Sequence, residues 1–134
     1  MKNIALIITT LSICLLVLSG CSKSTINTSL DKEVNLAIGQ TAKISSENLS
    51  IKLTDVTNES RCPLGVQCIR AGDVTCVLEI TLNGSTETYN LIVSGNAEQI
   101  YKGYKLIADV TPYPKAEETI SKDDYRLKFT VSKS

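Results

Sequence analysis

Five cysteines and no histidine bound the chemistry open to this chain of 134 residues. Without an imidazole, the Ser-His-Asp and Cys-His constellations and every histidine-based zinc site are excluded, along with the commonest general base. The thiols that remain are Cys14, Cys21, Cys62, Cys68 and Cys76. Cys62 and Cys68 lie in the stretch 61–72, Arg-Cys-Pro-Leu-Gly-Val-Gln-Cys-Ile-Arg-Ala-Gly, between segments that read as plain strands. Three uses are open to them: a disulfide, a metal site, or thiol redox chemistry. The five-residue gap lacks the Cys-x-x-Cys spacing that zinc ligation and redox tuning both favour. Were the chain exported, as its N-terminus suggests below, its thiols would also tend to oxidise. A disulfide is therefore expected, and neither a metal nor another cofactor.

Which thiols pair depends on the strands that carry them. Val74, Cys76, Leu78, Ile80 and Leu82 alternate with other residues over one run, and Asn83-Gly84 after them is a type I′ turn signal. A two-residue turn sets Leu82 opposite Ser85, Leu78 opposite Tyr89, Cys76 opposite Leu91 and Val74 opposite Val93, so the apolar sets of both strands share a face. Cys76 then points inward as a small inert hydrophobe, which leaves Cys62 and Cys68 to each other. Chain entropy does not choose between partners. Closing the Cys62–Cys68 ring is worth about 2 kcal/mol, and Cys62 with Cys76 about half a kcal/mol more.

The rest of the chain shows the same period of two. Val34, Leu36 and Ile38 alternate before a break at Gly39-Gln40, and Ala42 and Ile44 resume. Leu49, Ile51 and Leu53 follow, and residues 100–110 read as one strand with Tyr104, Leu106, Ala108 and Val110 in phase. Pro112-Tyr113-Pro114 ends that run, because proline cannot donate to a ladder. Residues 115–124 are polar, with room for one helical turn, and Tyr125, Leu127, Phe129 and Val131 form a last strand. About seven strands with one apolar face each predict a mainly β, antiparallel, immunoglobulin-like sandwich over residues 32–134, with a small β-barrel as the alternative.

The N-terminus carries a different signal. Lys2 precedes an apolar run over residues 4–18 that is shorter than a membrane span, and small residues follow it, which is the pattern of a secretory signal over residues 1–20. Leu18-Ser19-Gly20-Cys21 resembles the lipobox of bacterial lipoproteins. That resemblance implies that Cys21 is acylated with palmitate-like chains and becomes the new N-terminus. The protein would then be anchored to a bacterial cell membrane on the side away from the cytoplasm, and Cys14 would be discarded. Residues 21–31 are polar and read as a flexible linker. Lysines and arginines number 14 against 14 acids. A balance so close to neutral gives no support to a nucleic-acid partner.

Ser60-Arg61-Cys62-Pro63 with Cys68-Ile69-Arg70-Ala71-Gly72 resembles a pattern found in small uncharacterised bacterial exported or lipid-anchored β-domains. There the residue before Ala-Gly is typically tryptophan; here it is Arg70. The resemblance implies the β fold and the Cys62–Cys68 bond, and it implies no activity. The expected function is that of a membrane-anchored binding module of the cell envelope rather than an enzyme, with Arg61, Gln67 and Arg70 as the candidate contact surface near Glu59 and Asp73. Its partners would be membrane lipid through Cys21 and an envelope protein or glycan. The rival readings are a carboxylate-based envelope hydrolase and a protease-inhibitor-like domain presenting Pro63-Leu64-Gly65-Val66. Two weaker groupings complete the candidates: the acidic pairs Glu117-Glu118 and Asp123-Asp124, and the tyrosines Tyr101, Tyr104 and Tyr113.

Overall fold

Side chains on every second position must be covered on one side, and two stacked sheets cover them here. A computed structural model describes residues 24–95 and 97–134. Nine strands are found among the described residues: β1 (Thr25–Thr28), β2 (Glu33–Ala37), β3 (Thr41–Ile44), β4 (Leu49–Thr57), β5 (Val74–Leu82), β6 (Ser85–Val93), β7 (Ala97–Tyr101), β8 (Tyr104–Thr111) and β9 (Arg126–Lys133). They form a five-stranded sheet in the order β1-β3-β4-β5-β6 and a four-stranded sheet in the order β2-β9-β8-β7. The architecture is the expected sandwich, with no closed barrel among the described residues. Leu36, Leu53, Cys76, Ile80, Val110 and Leu127 lie at its centre, each fully buried.

The β5–β6 hairpin has the expected register, with Leu82 opposite Ser85, Leu78 opposite Tyr89, Cys76 opposite Leu91 and Val74 opposite Val93. Asn83 and Gly84 have φ of 50° and 82°, the left-handed values that a type I′ turn requires. In β4 the pairing with β5 shifts between Leu53 and Asp55. This bulge returns Val56 to the buried face three residues after Leu53, and the Thr54 hydroxyl donates to the Val77 carbonyl at 2.8 Å.

Two expectations are corrected. Residues 25–28 are not linker but the edge strand β1, paired in parallel with β3, Thr25 beside Thr41 and Thr28 beside Ile44. Its polar composition suits a strand whose neighbour lies on one side only, and half-buried Ile26 packs on the core. The run 100–110 is not one strand. Lys102 and Gly103, with φ of 42° and 86°, make a second tight turn that sets Tyr101 opposite Tyr104. The polar stretch before β9 contributes a single 3-10 turn, Lys122–Asp124.

The strand directions give the sandwich two distinct ends. Ile44, Leu49, Leu82 and Ser85 finish at one end. Tyr104 and Lys133 of the other sheet meet them there through Glu47, at 2.7 and 3.3 Å. The C-terminal Ser134 is tied to Gly103 at this hairpin end. Thr57 and Val74, with Ala37, Thr111 and Arg126 of the second sheet, finish at the opposite end. The residues joining β4 to β5 and β8 to β9 cover that loop end. Because β1 runs parallel to β3, its first residue also points there, and Ser24 is held by Thr41 and by the Gln40 side chain, at 3.4 and 2.7 Å.

Candidate functional site

The loop between β4 and β5 is closed three times. Cys62 and Cys68 form the disulfide, with Cα atoms 5.9 Å apart. Below it a stem pairs the two sides of the loop: Ser60 N–H donates to the Asp73 carbonyl and Cys62 N–H to the Ala71 carbonyl, both at 2.8 Å. Gly72 makes that stem possible. Its φ is +69°, and a Cβ there would lie 1.9 Å from the Ser60 carbonyl oxygen, closer than any side chain tolerates. Leu64 N–H then donates to the Pro114 carbonyl at 2.9 Å, and Leu64 bridges to Lys115 in parallel. The loop is thereby fixed to the segment that follows β8.

Arg61 is not on the surface. It is 6 % exposed, and its side chain enters the loop end of the sandwich. Its Nε and one terminal nitrogen fork onto Glu59 at 2.8 and 2.5 Å. The nitrogen on Oε2 also reaches the Pro112 carbonyl at 3.0 Å, and the other terminal nitrogen donates to the Val110 carbonyl. Tyr125 Oη donates to Glu59 Oε2 at 3.2 Å, and the Tyr113 ring lies 4.7 Å from the guanidinium. The physical reason for the burial is plain: the Val110 carbonyl at the end of β8 and the Pro112 carbonyl just beyond it need donors, and a planar fork with five N–H groups supplies them while also meeting a carboxylate.

The electrostatics follow from this packing. Burial pushes the Glu59 carboxyl up, but the hydrogen bonds and charge of Arg61 outweigh it and hold the group below its ordinary range. Burial opposes the charge of Arg61, while Glu59 outweighs it and raises its pKa. Burial, then the Glu59 charge, raises Tyr125. Cys76 is the free thiol among the described residues, and burial pushes it up to about 12. The Glu59–Arg61 pair is thus charged at neutral pH with its donors already engaged, and it acts as a clamp between the loop and β8.

The other singled-out residues separate. Gln67 and Arg70 are exposed on the outside of the loop, so the surface expected from three residues keeps two of them. Asp73 belongs to the stem. Tyr101 is buried against Tyr89, edge to face at 5.1 Å, while Tyr113 stands at the loop end. The three tyrosines therefore form no common patch. Glu117, Glu118, Asp123 and Asp124 are exposed, and no metal-binding group of three or more acids or cysteines occurs among the described residues. The outer face of the four-stranded sheet carries a shallow hollow of about 130 Å³ lined in part by Glu33, Asp109 and Lys128. Cys21 lies outside the described residues, among which no helix is long and apolar enough to cross a membrane.

No family model, curated protein or solved structure matches the chain.

Sequence reasoning presents Leu64 and Val66 only in the inhibitor reading and does not group them with Ile69. Leu64 is 59 % exposed, Val66 45 % and Ile69 105 %. Three large apolar residues within a six-residue span of a loop rich in glycine and cysteine were the available signal.

Proposed function

We infer that the protein is an exported, lipid-anchored binding module of the bacterial cell envelope whose working surface is the outside of the cysteine loop. The observation that carries this reading is Leu18-Ser19-Gly20-Cys21 directly after a short apolar run, which supplies an acyl-acceptor thiol at a cleavage point. Each buried CH₂ of an acyl chain adds roughly 0.8 kcal/mol of membrane affinity, so two chains give a lasting hold. The stapled loop supports the second half of the reading. Rigid closure lowers the ordering cost of binding, and Gln67 and Arg70 stand beside the exposed apolar side chains. Arg61 contributes from within, by fixing the loop to β8.

Metabolic labelling with a palmitate analogue in a bacterial host tests the anchor. Wild type is expected to be labelled and processed, and Cys21→Ala to accumulate as an unlabelled precursor; normal cleavage and acylation of that variant would refute the assignment. A pull-down from the host envelope, its lipid included, with wild type and with Leu64→Ser/Ile69→Ser tests the surface; loss of captured envelope material is expected, and unchanged capture would refute it.

A further inference from the structure

Leu64, Val66 and Ile69 stand in water on a loop that cannot fold away. The disulfide, the stem and the Leu64–Pro114 bond hold it open, and three exposed large apolar residues within six positions of one stapled loop point to a contact site. What covers them follows from where the chain enters the fold. β1 runs parallel to β3, so the N-terminal end of β1, at Ser24, faces the loop end. Cys21 is three residues before Ser24, and three residues of chain reach at most about 11 Å. Ser24 stands level with Gln40, whose carbonyl accepts from Leu53 N–H at 3.1 Å. From Leu53 to the end of β4 the strand still rises roughly 13 Å at about 3.3 Å per residue, and the cysteine loop begins only there. With the loop end turned toward the surface that holds Cys21, a tether this short cannot lift it clear.

We propose that Leu64, Val66 and Ile69 bed into the lipid surface beside the anchor, so that the partner of the cysteine loop is the membrane itself. This rests on the acylation of Cys21 put forward above. The surrounding charges are of mixed sign, Arg70 and Lys115 against Glu117 and Glu118. The contact is therefore apolar and persists at high salt, unlike one driven by phosphate attraction.

The chain has no tryptophan, so a single introduced indole reports its own surroundings. The processed, acylated protein carrying Ile69→Trp is reconstituted in vesicles of phosphatidylethanolamine and phosphatidylglycerol, with and without lipid brominated high on the acyl chain. Ser85→Trp, exposed at the hairpin end, is the control. The expected result is a blue-shifted emission that bromolipid quenches for Ile69→Trp, unchanged in high salt, and neither effect for Ser85→Trp. If the protein floats with the vesicles but Ile69→Trp behaves like Ser85→Trp, the loop contact is overturned and the anchor stands. A blue shift without quenching means that protein, such as a second copy, covers the loop, and also overturns it. Failure to float removes the anchor, and the loop contact with it.

Discussion

Replacing Arg61 by alanine withdraws a guanidinium from the centre of the loop end. The Glu59 carboxylate then faces the Val110 and Pro112 carbonyls with only Tyr125 left to donate from a side chain. Removing one partner of a buried ion pair costs ~3–5 kcal/mol, because the other charge remains desolvated. The Glu59 side chain keeps 23 % of its exposure, so water recovers part of that loss. The lower end, about 3 kcal/mol, is the expected cost. With a urea m-value of roughly 1.5 kcal/mol/M for a domain of this size, the unfolding midpoint falls by about 2 M. Arg61→Lys recovers only part, since an ammonium cannot fork onto Glu59 while reaching two carbonyls. The pH dependence has a definite sign. Glu59 is held below its ordinary 4.5 in the folded state, so its contribution is full above that value and is lost as pH falls through the lowered folded one. The gap between wild type and Glu59→Gln therefore narrows on acidification below about 4.5. An Arg61→Ala midpoint no lower than that of exposed Arg70→Ala, whose effect stays within about 0.5 kcal/mol, would refute the clamp.

Three further outcomes are expected. Gly72→Ala forces a Cβ against the Ser60 carbonyl at positive φ and costs about 3 kcal/mol through the combined clash and left-handed strain, read as a lowered urea midpoint; an unchanged midpoint would show that the stem is not needed. Reduction of Cys62–Cys68, or Cys62→Ser/Cys68→Ser, lowers stability by about 2 kcal/mol while near-ultraviolet dichroism of the tyrosine core persists. Cys76, its thiol pushed up to about 12 by burial, resists alkylation at pH 8 until denaturant is added; mass mapping that finds it modified in the native protein, or joined to Cys62 or Cys68, contradicts its place in the core.

The parts of this fold that were legible in the sequence are those set by neighbours in the chain. Asn83-Gly84 fixes a register that propagates through nine residue pairs, because a two-residue turn leaves one way to align strands of alternating polarity. Lys102-Gly103 carries the same geometry with a weaker first residue, and the apolar residues on either side of it read through as one run. β1 escaped for another reason. At the sheet's edge Thr25–Thr28 carries a single apolar residue, half-buried Ile26, so it looks like linker until β3 lies beside it. Arg61 was legible as chemistry and not as location: its burial is decided by carbonyls 49 and 51 residues away, which local pattern does not encode. The disulfide was legible because the inward phase of Cys76 left one pairing.

The parallel placement of β1 also has a mechanical consequence. A pull on the chain upstream of Ser24, resisted by the body of the sandwich, acts along the strand, and the β1–β3 hydrogen bonds lie across that load and share it. The same strand peeled sideways, away from β3, would open one bond at a time. The edge that holds the fold to whatever precedes it is thus arranged to resist shear, and the C-terminus, at the hairpin end, is left clear of the strain.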